Sequence, residues 1–149
     1  MKPSDSTVLF EVFNEIGIIE QLSRALLEAR LPEGLIAPHF NVLSHLTRRD
    51  GATPINMARA FQVPKTSMTH TLKGLESGDY VALKPNPEDG RSKQVWLTDR
   101  GRALRDQTIA ALAPEFSKLM GEFDPARLAD IKPVLTDLRV YLDAARDPK

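Results

Sequence analysis

The sequence predicts a mainly α-helical chain carrying a small two- or three-stranded β wing: a winged helix-turn-helix, dimerised through its N- and C-terminal helices. Three observations predict it. Apolar-striped segments occupy both ends, two short helix patterns meet at a three-residue turn near the middle, and a charged hairpin pattern follows them directly.

Between Asp5 and Ala29 the apolar residues Leu9, Phe13, Ile16, Ile19, Leu22 and Leu26 recur at three- and four-residue steps, the period of one helix face. Val8, Val12, Ile18 and Leu27 widen that face beyond what one partner covers, so part of this helix is expected to pack against another subunit. Pro32, Gly34 and Pro38 punctuate the chain before a second helix, Ala37 to Thr47, with Phe40, Leu43 and Leu46 inward. Arg48-Arg49-Asp50-Gly51 ends it.

Thr53-Pro54 opens a third helix, because threonine can cap free amides and proline at the first helical position loses no hydrogen bond. It runs to Ala60 or Phe61. Gln62-Val63-Pro64 is the turn, and a fourth helix runs from Lys65 to Ser77, closed by Gly78, a residue able to take the left-handed conformation. Met68, Leu72 and Leu75 make its inward stripe. By the same period Thr66, Thr69, His70, Lys73 and Ser77 point outward.

Two strands follow, Val81 to Lys84 and Lys93 to Leu97, with Val81 and Leu83 inward beside Val95 and Leu97. The turn between them is Pro85-Asn86-Pro87-Glu88-Asp89-Gly90. Thr98-Asp99 caps a long helix whose stripe (Leu112, Phe116, Leu119, Phe123) passes Pro114, where a kink or restart is expected. Asp124-Pro125 starts another, striped by Leu128, Ile131, Leu135, Leu138 and Leu142. There Pro133 is tolerable if Asp130 caps a fresh start.

Composition bounds the function. At 149 residues, with 42% hydrophobic and 27% charged residues, the chain fits one globular domain. No apolar run approaches the roughly 18 residues of a membrane span, and the N-terminus lacks a secretion-signal core. The absence of cysteine fits a reducing, cytoplasmic setting and excludes a disulfide framework or thiolate metal site in this chain. Net charge is zero but unevenly spread: residues 48–105 hold eleven basic against six acidic side chains, and the remainder nine against fourteen. A basic middle between acidic arms steers a polyanion to one face.

Two short helices joined by a tight turn, the second polar outside, match a helix-turn-helix whose second helix enters the major groove. Thr66, Ser67, Thr69, His70 and Lys73 can hydrogen-bond base edges or phosphates. The run Asp89-Gly90-Arg91-Ser92-Lys93-Gln94-Val95-Trp96-Leu97-Thr98-Asp99-Arg100-Gly101 then resembles the wing and following helix start of the MarR family of transcriptional regulators. That family's pattern is Asp-x-Arg-Ser/Ala, an apolar position, then Leu-Thr-x-x-Gly. Met68-Thr69 through Leu72, Leu75-Glu76 and Gly78 is similar to its recognition helix, and the order of elements agrees over nearly the whole chain.

The resemblance implies a homodimer with interlocked terminal helices, two winged heads astride pseudo-palindromic double-stranded DNA, and a small-molecule effector in the crevice between head and dimer region. It implies that Arg91 reaches the minor groove from the wing tip, with Asp89 helping to hold it. Lys84 stands where arginine is usual, keeping charge without the planar fork. His70 stands where arginine is frequent, and Pro64-Lys65 replaces a serine cap. The DNA-binding candidates are therefore Lys65, Thr66, Ser67, Thr69, His70, Lys73, Lys84, Asp89, Arg91 and Lys93. On this reading residues 1–149 form one domain, with 1–35 and 107–149 as dimerisation helices and 37–105 as the DNA-binding head.

Other classes fit less well. His39 and His45 lie on different sides of one helix and no histidine–carboxylate pair accompanies them, so a metal centre is not expected, nor any cofactor. There is no Gly-rich phosphate loop and no nucleophile setting for an enzyme. The remaining alternative is a winged-helix module that binds protein without DNA. Salt separates the two, since DNA binding weakens steeply as salt rises.

Overall fold

The computed structural model describes residues 2–146. Six helices and two strands follow in the order α1 (Pro3–Glu28), α2 (Ala37–Arg48), α3 (Pro54–Phe61), α4 (Lys65–Ser77), β1 (Val81–Asn86), β2 (Asp89–Leu97), α5 (Asp99–Glu122) and α6 (Pro125–Arg146). The chain divides into two compact units, one ending at Leu112 and the other beginning at Ala113.

The first unit owes its core to helix stripes that meet at one centre. Val42, Leu43 and Leu46 of α2, Met57 and Ala58 of α3, and Met68, Leu72 and Leu75 of α4 close on Val81 and Val95 of the strands and on Leu104 of α5. Burying each large aliphatic side chain contributes about 1.5–3 kcal/mol. Phe40, expected inward, is only half-buried. The buried face of α2 runs through His39, Val42, Leu43 and Leu46 instead, and Phe40 falls at its edge.

Local chemistry sets the helix ends. The Thr53 hydroxyl accepts from the Asn56 amide at 3.3 Å, capping α3 as its sequence predicts. Gln62, at φ 61°, takes the left-handed conformation that turns the chain from α3 toward α4. At the end of α4 the left-handed residue is Asp79 (φ 60°), not Gly78 (φ −89°). Glycine is needed at 78 for space: a β-carbon there would lie 2.5 Å from the Tyr80 ring.

The strands pair antiparallel in the expected alternation, Val81 opposite Leu97 and Leu83 opposite Val95, but run longer than predicted. Their register shifts between Pro85 and Asn86, where Asn86 pairs with Asp89. Among the described residues a single further bridge, Ala52 to Val95, adds a short third edge. Among the described residues α5 and α6 run unbroken through Pro114 and Pro133, so neither proline restarts a helix. Both prolines, and the residues four back whose carbonyls lose a partner (Ala110 and Ala129), are exposed. Water can take the freed carbonyls.

The terminal helices are bare. On α1, Val8, Leu9, Phe10, Val12, Phe13, Ile16, Ile18, Ile19 and Leu22 are all exposed. In the second unit α6 has no buried residue, and Leu128, Ile131, Val134, Leu135, Val140, Tyr141 and Leu142 are exposed.

Candidate nucleic-acid interface

The α3–turn–α4 unit and the β1–β2 wing place all ten predicted contact residues on the surface. Lys65, Thr66, Ser67, Thr69, His70 and Lys73 are exposed along α4, opposite its buried stripe of Met68, Leu72 and Leu75. Lys84, Asp89, Arg91 and Lys93 are exposed on the wing. The two wing lysines are not brought together: Lys84 pairs with Gln94 and Pro85 with Lys93, which puts the two cations on opposite faces of the ribbon.

Hydrogen bonds along α4 decide what its hydroxyls can offer. Thr69 donates to the Lys65 carbonyl at 3.0 Å, Thr71 to Ser67 at 3.0 Å, and Ser77 to Lys73 at 2.8 Å. Each oxygen keeps its acceptor lone pairs while its proton is engaged. Thr69 therefore presents an acceptor and a methyl group. In a major groove these suit the amino groups of adenine or cytosine and the thymine methyl.

The wing tip is held by side-chain bonds to its own backbone. Asn86 accepts from the Glu88 amide at 3.1 Å and donates to Ser92 Oγ at 2.9 Å, and Ser92 Oγ donates to the Asp89 carbonyl at 3.2 Å. The Asp89 carboxylate accepts from the Arg91 amide at 3.0 Å. Asp89 thus fixes the backbone of Arg91, whose side chain is exposed.

His39 lies behind α4, a placement its sequence does not reveal. Its Nδ1 accepts the Ile36 amide at 2.9 Å, which caps the start of α2. Its Nε2 would stand 3.0 Å from a β-carbon at Gly74, so glycine at 74 lets α4 approach the ring. Burial holds the His39 imidazole below the ordinary histidine range, and nearby His70 acts in the same direction. Burial also lowers His45, helped by Arg48 and Arg49. His45 meets Phe61 edge-on, with ring centres 5.3 Å apart.

A base with a depressed folded-state pKa has a defined pH signature. The stability it contributes is complete above its unfolded value of about 6.5 and is lost as pH falls from there toward the folded value, because the unfolded chain takes up the proton first. The unfolding midpoint should therefore drop as pH falls below about 6.5. His39→Asn, which retains an acceptor at the cap, should flatten that slope in a thermal melt series. An equal slope would remove His39 as its source.

Two hollows adjoin these elements. One, of about 170 Å³, is lined by Pro38, Asn41, Phe61, Val63, Ser67, Met68 and Thr71, between α2 and the α3–turn–α4 unit. The other, of about 160 Å³, lies between α1 and α2 and is lined by Glu20, Ser23, Arg24, Leu27, Ala37 and Asn41. Among the described residues no cluster of three metal-ligating side chains forms, and no helix is long and apolar enough to cross a membrane.

Comparison with known proteins ties this geometry to a lineage. A MarR family model matches residues 33–92. An HTH-type transcriptional repressor of Mycobacterium tuberculosis is 29% identical over 107 residues, 72% of this chain and 77% of that protein. The multiple antibiotic resistance protein MarR of Escherichia coli is 30% identical over 105 residues, 65% of this chain and 73% of its own length. The chain belongs to the MarR family.

Solved structures share its fold. A mutant of Escherichia coli MarR complexed with operator DNA superposes with a TM-score of 0.77 at 24% identity, covering 87% of this chain and 94% of that one. BpsR of Bordetella bronchiseptica, whose DNA binding is regulated by 6-hydroxynicotinic acid, gives 0.74 at 22% identity, covering 87% and 98%. Membership makes this chain a winged-helix transcriptional regulator.

Proposed function

We propose that the chain is a cytoplasmic homodimer that represses transcription by occupying pseudo-palindromic double-stranded DNA, without catalysis, and that a small ligand releases it. The observation that carries this reading is the pairing of an exposed polar α4 face with a braced wing tip whose Arg91 guanidinium has no acidic partner among the described residues. Residues 1–35 and 107–149 dimerise, and 37–105 bind DNA. Two copies of α4 roughly 34 Å apart would meet successive major grooves. Arg91 would probe the minor groove, where negative potential concentrates.

The hollow beside Ser67, Met68 and Thr71 supports ligand control, because an occupant there touches α4 directly. Such a ligand must bind the DNA-incompetent arrangement more tightly, since equal affinity for both states shifts nothing.

Genomic DNA captured by the purified protein supplies the operator for the test. Binding to it should weaken steeply with salt, and Arg91→Ala should cost about 1–3 kcal/mol, roughly fivefold to 150-fold in affinity, with the dimer intact. Unchanged affinity of the variant at moderate salt would reject the wing assignment. Salt-insensitive binding would point to a protein partner instead.

A further inference from the structure

We propose that Asp50 is a positioning residue for DNA recognition, its carboxylate bracing the wing against the end of α2. The proposal rests on the DNA-binding reading above and adds a residue that no wing or recognition-helix motif contains.

Asp50 follows α2 directly, in Arg48-Arg49-Asp50-Gly51. Its Oδ1 accepts from the Leu97 amide at 2.8 Å, across 47 residues of chain, and from its neighbour Gly51 at 3.2 Å. Beside it the Gly51 amide donates to the Val95 carbonyl at 2.9 Å, and the Val95 amide donates to the Ala52 carbonyl at 2.9 Å. The outer edge of β2 is thus closed first by backbone, at Val95, and then by a side chain, at Leu97.

Without Asp50 the Leu97 amide would be an open edge donor where strand pairing stops. Backbone contact sets the brace closely: Gly51, at φ +80°, lies so near the Trp96 indole that a β-carbon would stand 2.8 Å from it.

The brace sits where small angular changes matter most. From Leu97 to Arg91 the strand spans roughly 20 Å at about 3.4 Å per residue, so a tilt of about 10° at its base displaces the tip by roughly 3.5 Å. That exceeds the tolerance of a hydrogen bond. Asp50 is also an acid inside the basic middle of the chain, where its charge opposes a polyanion. The two roles therefore predict opposite signs. If Asp50 were only a surface charge, removing it would tighten DNA binding.

The experiment compares wild type, Asp50→Ala and Asp50→Asn on the operator and on a scrambled duplex of equal length, with amide exchange followed at Leu97. Asp50→Ala should lose about tenfold on the operator while binding the scrambled duplex as well as wild type or better. Asp50→Asn, which keeps the acceptor oxygen without the charge, should stay within about threefold of wild type on the operator. Exchange at Leu97 should accelerate in Asp50→Ala and not in Asp50→Asn.

Operator affinity of Asp50→Ala equal to or above wild type overturns the proposal, as does unaltered exchange at Leu97. Equal losses on both duplexes also overturn it, since they signal general damage to the head. A wild-type protein that does not prefer its operator to the scrambled duplex would instead sink the DNA reading. The Leu97 exchange would still decide whether the brace exists.

Discussion

Gly101→Ala should destabilise the protein by about 3 kcal/mol or more, lowering the thermal midpoint by roughly 6–12 °C. Gly101 is buried in the first turn of α5, and a β-carbon there would fall 2.0 Å from the Tyr80 carbonyl oxygen and 2.9 Å from Leu97 Cδ1. The carbonyl cannot swing away at low cost, because it accepts the Thr98 amide at 3.2 Å while the Tyr80 amide is bound to Leu75 at 2.9 Å. Thr98 locks the same corner: its hydroxyl donates to the Asp79 carbonyl at 2.6 Å and accepts from the Gly101 amide at 3.0 Å. The Arg100 guanidinium lies over the Tyr80 ring, 4.9 Å from its centre. The end of α4 and the start of α5 are thus joined through backbone, where no rotamer change relieves a clash. A denaturation midpoint equal to wild type would show that this contact is not made in solution.

Breaking the proposed dimer should have the largest effect on function. Phe13→Asp together with Ile16→Asp should leave the head folded, since both side chains are exposed within one chain, at 38% each. The variant should sediment as a monomer and bind operator about a hundredfold or more weaker, because a dimer places its second head by effective concentration. The motivation is area: nine large apolar side chains lie exposed on α1 alone, more than a soluble monomer ordinarily leaves to water. Wild-type protein that is monomeric at micromolar concentration would contradict the assignment of these helices.

Much of the head is legible in sequence because its signals are local. Thr53-Pro54 and Pro64 bracket α3 and the turn, and α4 runs from Lys65 to Ser77 as its apolar stripe predicts. Strand alternation put Val81, Leu83, Val95 and Leu97 on one inward face, and the observed register sets Val81 opposite Leu97 and Leu83 opposite Val95. What escaped depends on how side chains and solvent meet in three dimensions. Gly78 reads as a left-handed cap, yet the nearby Tyr80 ring explains the glycine and Asp79 takes the left-handed turn. Pro114 and Pro133 leave kink or restart open in the sequence; both helices continue through them, and their exposed faces let water replace the lost bonds. His39 behind α4 and Asp50 against Leu97 act across 35 and 47 residues, and no spacing rule announces such partners. Glycine at 101 was visible as part of a motif, and the Tyr80 carbonyl gives its physical reason.

The contact between Gly51 and Trp96 also equips the molecule with an optical reporter. Trp96 is the chain's single tryptophan, half-buried at the foot of the wing. Indole emission follows the polarity of its surroundings, so selectively excited fluorescence from the unlabelled protein reads one place only. Duplex docking, the proposed ligand release and the proposed loosening at Asp50 can each be timed there by mixing, without a dye that would perturb the tip.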